Sequence, residues 1–143
     1  MTQQPSAMRY LEASLASLSK EDLMVKVFDA IVMFSRQAVE KMKAAPNDVQ
    51  ARHDLLRKAQ RACSVAMGSI DFELGGDLAR SNFALYEYWH HELVMANIEG
   101  NVTRVEAILP QMVDIRDAWA EAVRRYKLEF ANQGEPRMDA LSA

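Results

Sequence analysis

The sequence predicts an all-α protein, an antiparallel up-down four-helix bundle with an N-terminal docking segment. Three observations predict it. Half of the 143 residues are apolar and only five are glycine, enough oil for a single core in one domain. The chain is rich in Ala, Leu, Met, Glu, Arg and Lys, which favour helix, and no stretch alternates with the period of two that a strand needs. Clusters of helix-breaking residues fall at Ala44-Ala45-Pro46-Asn47, Gly75-Gly76 and Gly100-Asn101. They separate four long amphipathic stretches, and connections this short leave consecutive helices antiparallel.

Residues 1–18 read as a separate N-terminal segment. After Met8 its large apolar side chains are Tyr10, Leu11, Leu15 and Leu18. These are too few for a core and too many for a plain tail, so the segment is expected to dock on its own domain or on a partner. The bundle domain is expected over 19–131. Ser19 is a good N-cap for helix one, and Glu21 and Asp22 sit at the positive end of its dipole. Helix one runs to about Lys43. Helix two runs from near Asp48 to the double glycine, which is read as the sharp reversal because two glycines there allow positive φ. Helix three covers about Asp77 to Ile98. Helix four starts near Thr103, where Thr103 and Glu106 have capping-box spacing, and ends near Ala131. Pro110, two turns in, falls on the polar side with Asp114, Asp117 and Glu121 and should kink the helix so that it curves around the core. Residues 132–143, with Gly134 and Pro136, read as a flexible tail.

At about 100° per residue the helices carry more apolar surface than one core stripe requires. In helix one the stripe of Leu23, Val27, Ala30, Ile31, Phe34 and Ala38 is widened by Met24, Val25, Phe28, Val32 and Val39. Helix two has a core face from Leu55 to Ile70, with Val65 and Phe72 on the opposite side beside Lys58 and Arg61. Helix three is expected to bury Leu78, Leu85, Trp89, Leu93 and Ala96, yet carries Ala84, Tyr88 and Met95 along its polar side. Helix four is expected to bury Val105, Ile108, Met112, Ile115, Trp119, Val123 and Tyr126, with Leu109, Val113 and Ala120 as a side stripe. Single exposed apolar residues are ordinary, but continuous stripes on several helices suit grooves for a partner's helices. Nine methionines fit such an adaptable surface.

Other functions find little support. A formal charge of −3 with no basic stripe argues against nucleic acid. The dipeptide Arg124-Arg125 sits among acidic neighbours and reads as a solvated helix face. Cys63 is the only cysteine, so no intrachain disulfide forms, and a reducing compartment suits it. No signal peptide and no apolar run of about 18–20 residues is present, so cytoplasmic placement without stable membrane insertion is expected. Glu87-Tyr88-Trp89-His90 has the Glu-x-x-His spacing of metal-binding bundles, but a second such motif is missing. His91-Glu92-Leu93-Val94-Met95 lacks the closing histidine of a zinc-protease motif. No phosphate loop and no nucleophile signature occur, so neither catalytic residues, metal, cofactor nor enzymatic activity is expected.

An ordered set of short motifs runs through the chain: Tyr10; Leu18-Ser19-Lys20-Glu21-Asp22-Leu23; Phe28-Asp29-Ala30-Ile31; Leu74-Gly75-Gly76-Asp77-Leu78-Ala79; Leu85-Tyr86-Glu87-Tyr88; Leu93; Ala96-Asn97; and Leu109 through Arg116-Asp117-Ala118-Trp119. In order and spacing, from about Tyr10 to Tyr126, the chain resembles the FliS family of flagellar secretion chaperones. It departs at Phe28 and Ala30, where the family usually has Tyr and Gly. The resemblance implies an antiparallel helical bundle whose client is the C-terminal segment of flagellin, disordered before assembly. It further implies a complex that keeps flagellin from premature polymerisation and meets the membrane export gate. By the same resemblance, the segment around Tyr10 covers the client surface when no client is bound. The expected partner-binding residues are Tyr10, Val25, Val65, Phe72, Ala84, Tyr88, Met95, Leu109 and Val113, and the free protein is expected to be a monomer or weak dimer. A self-associating helical adaptor that uses the same stripes is the alternative.

Overall fold

Each helix begins where a short polar side chain can take up free backbone N–H groups. Ser19 accepts from the N–H of Asp22 at 3.1 Å and opens α1, Lys20–Ala44. Asp48 accepts from the N–H of Ala51 and opens α2, Val49–Gly68. Asp71 accepts from both Glu73 and Leu74 and opens α3, Phe72–Glu99. Each such cap is worth about 1 kcal/mol. Asn101 takes the N–H of Thr103 at 3.0 Å and starts α4, Val102–Asn132. Asn101 therefore does the work expected of Thr103. These four helices come from a computed structural model that describes residues 19–132. Tyr10, with the rest of the N-terminal segment, and the tail from residue 133 lie outside the described residues.

The helices form the expected bundle. α1 packs against α2 and α4, and α3 packs against the same two. Lys127 donates to Asp22 at 2.6 Å and Lys43 pairs with Glu106 at 2.7 Å, tying α1 to α4 near both ends. α3 closes with Gly100 in the left-handed region (φ 65°), and the N–H groups of Gly100 and Asn101 both reach the carbonyl of Ala96. α4 runs unbroken through Pro110, which is exposed.

Phe28, Ile31, Leu56, Trp89, Leu93, Ile108 and Met112 are fully buried in one core. Phe28 lies between two rings, with its centroid 5.5 Å from Tyr86 and 5.7 Å from Trp119. Trp89 donates its indole N–H to Gln111 at 3.1 Å, fixing α3 on α4. The α1 stripe is rotated from its expected position: Met24, Phe28 and Val32 are core, while Leu23 is exposed. Leu78 and Tyr126, expected inside, are also exposed, and Tyr86 takes the buried place on α3.

The reversal between α2 and α3 also differs from expectation. α2 stops at Gly68, well before the double glycine, and the chain turns over Ser69–Asp71. A first helical turn then starts at Phe72, and the helix breaks at Gly76 (φ 54°, ψ −130°) before continuing. Phe72 therefore belongs to α3, not α2.

Candidate partner-binding surface

The break at Gly76 shapes the end of the bundle where α1 and α3 begin. It holds the turn Phe72–Gly75 away from the core, leaving Leu74 at 89% and Leu78 at 70% exposure. Beneath them opens a groove of about 390 Å³, lined by Met24, Ile70, Leu74, Leu78, Ala79, Tyr86 and Trp119, with Lys20 and Glu21 at its rim. Its walls are mainly apolar and aromatic, with Ser69, Asp71 and Asn82 as the polar side chains among them. Burial pushes the Tyr86 hydroxyl above its ordinary range, so it stays a neutral part of the wall. Such a groove suits an amphipathic helix or an extended apolar segment.

A second groove, of about 410 Å³, runs between α1 and α4 and is lined by Arg36, Val39, Glu106, Leu109, Pro110, Val113 and Asp114. Pro110 lies within α4 here and donates no backbone N–H to the carbonyl one turn earlier. The charged residues along its edge make this the more polar of the two.

Among the sequence-expected site residues within the described range, none is fully buried. Leu109 and Val113 share the α1–α4 groove. Ala84, Tyr88 and Met95 lie on one face of α3, where Tyr88 is 46% exposed and Met95 half-buried. Val65 stands out from α2, and Val25 is half-buried on α1. Phe72 rests its ring 5.4 Å from Phe83 in the displaced first turn of α3. These residues mark several surfaces, not one. Sequence reasoning missed the groove at the end of the bundle because it assigned Leu78 to the core. The signal was present in Leu74 and Leu78, one turn apart on either side of the glycines.

Glu87 is exposed and His90 half-buried, and among the described residues no group of three or more His, Cys, Asp or Glu side chains is gathered as a metal ion requires. Arg124 and Arg125 both pair with Glu121 and hold its carboxyl down at about 2. Among the described residues no helix is long and apolar enough to cross a membrane.

A family model described as flagellar protein FliS matches residues 1–126. The chain belongs to the FliS family. The flagellar secretion chaperone FliS of Escherichia coli (strain K12) is 29% identical over 114 residues, covering 79% of this chain and 82% of the relative. The FliS chaperone of Bacillus subtilis (strain 168) is 24% identical over 125 residues, covering 87% and 91%. That of Campylobacter jejuni is 23% identical over 103 residues, covering 72% and 79%. The family match spans nearly the whole bundle, and both glycines at the α3 break fall inside it.

Proposed function

We propose that this protein is a cytoplasmic export chaperone that binds the disordered C-terminal segment of flagellin, prevents its premature polymerisation and delivers it to the flagellar export gate. The observation that carries the reading is the apolar groove at the end of the bundle, with Leu74 and Leu78 left standing in solvent. A stable monomer gains nothing from such exposure, whereas a floppy client needs it. Ordering a disordered segment costs on the order of 2–5 kcal/mol or more. Covering roughly 1,000 Å² of apolar surface offers about 25 kcal/mol gross, most of which ordering and association cancel. The flagellar chaperone names of the relatives support the same reading. No catalytic step is required, because a competitor or a pull at the gate suffices for release.

The test is calorimetric titration with a flagellin C-terminal peptide. The expected result is a 1:1 complex, weakened at least about tenfold by Leu78→Glu, a loss of about 1.4 kcal/mol, with helicity unchanged. Absence of binding at high micromolar peptide by the well-folded protein would refute the proposal.

A further inference from the structure

The outer face of α2 is unlike the rest of the protein. α2 carries Arg52, Arg57, Lys58 and Arg61 against a single carboxylate, Asp54, in a chain whose formal charge is −3. Elsewhere most cations are paired: Lys41, Lys43, Arg80, Arg104, Arg116, Arg124, Arg125 and Lys127 all meet carboxylates. Arg57, Lys58 and Arg61 form no ion pair among the described residues, although all three are exposed and acidic side chains are abundant. Asp54 accepts instead from Gln50 at 2.8 Å. His53, Asp54, Arg57, Lys58 and Arg61 surround a shallow cavity of about 340 Å³.

The register of this face adds a constraint. His53, Arg57, Arg61 and Val65 follow one another at i, i+4 and so form one ridge along α2. Val65 is 55% exposed at its far end. A segment that lays an apolar side chain on Val65 and continues along the ridge must cover Arg61 and then Arg57. Removing two guanidinium groups from water without partners costs several kcal/mol each. An apolar occupant would be repelled, and one bearing carboxylates would be held in register.

We infer that the α2 ridge is a docking surface for an acidic helical stretch of the client, one that sets carboxylates on Arg57 and Arg61 and an apolar side chain on Val65. The inference rests on the client reading given above and adds the chemistry of one part of the client. A membrane surface is a poorer fit, because the ridge offers no bulky apolar row to enter lipid. Long-range attraction to the ridge also speeds encounter, as it does for oppositely charged protein partners.

The experiment measures affinity for the flagellin C-terminal segment from about 0.05 to about 0.5 M salt, a range over which screening shortens severalfold. Wild type is compared with Arg57→Glu/Arg61→Glu and with the milder Arg57→Gln/Arg61→Gln, each checked for helicity and thermal unfolding. The expected result is an affinity that falls with salt in wild type. At low salt it should be at least about tenfold weaker in the Glu pair and intermediate in the Gln pair; added salt should change the Gln pair little and should strengthen binding by the Glu pair, whose repulsion it screens. Wild-type affinity and salt dependence in both variants would overturn the ridge while leaving the chaperone reading intact. No binding by wild type would overturn both. Sedimentation of wild type, but not the Glu pair, with phosphatidylglycerol vesicles, together with unchanged peptide binding, would reassign the ridge to membrane and overturn the inference.

Discussion

At the scale of single residues, buried polar groups show where the core departs from pure oil. Ser35 is fully buried on α1, and its Oγ has no hydrogen-bond partner among the described residues. A buried hydroxyl without a partner costs about 1–3 kcal/mol. Ser35→Ala is therefore expected to stabilise the bundle by about 1 kcal/mol, seen as a higher urea midpoint. A lower midpoint would mean that the hydroxyl has a partner after all. Cys63 shows the other outcome of burial: it is fully enclosed, and burial pushes its thiol up to about 12. It is a packing residue, as its place on an apolar face suggested in the sequence. Phe28 was harder to place. On a helix apolar over more than half its circumference, periodicity alone does not say which half faces inward. The packing of Phe28 between Tyr86 and Trp119 decides it, and leaves Leu23 outside.

At the scale of elements, the two glycines of α3 do different work. Gly76 adopts positive φ, where L side chains are strained whatever the space, while a Cβ on Gly75 would lie 2.5 Å from that of Ala79. Gly68, in the last turn of α2, has open space around it. Gly76→Ala is expected to lower stability by about 1–3 kcal/mol, whereas Gly68→Ala should be neutral or slightly stabilising. Urea unfolding of both variants checks this, and equal midpoints would contradict the assigned roles. The four helices and their breakers were legible because capping residues, Pro and Gly act locally. The reversal was not placed correctly, because a glycine pair marks a departure from helix without saying whether it is a turn or a kink. Asp71 held the missing information: as an N-cap it starts a helix four residues before the glycines. Asn101 similarly caps α4 where Thr103 was expected.

At the scale of the whole molecule, the surplus of apolar surface was legible from helical wheels, but its location was not. Wheels identify which side chains share a face of one helix, and a groove depends on how neighbouring helices and a displaced turn enclose space. Val65, Tyr88, Leu109 and Val113 do stand at the surface or in a groove. The end groove of Leu74, Leu78, Tyr86 and Trp119 needed the break at Gly76 to form. The central claim is that this bundle keeps oil exposed in order to cover it with a client. The most direct test is the heat capacity change on binding a flagellin C-terminal peptide, from calorimetry over a temperature series. Covering roughly 1,000 Å² of apolar surface should give a negative value on the order of −0.4 kcal/mol per kelvin. Binding with a heat capacity change near zero would contradict the claim.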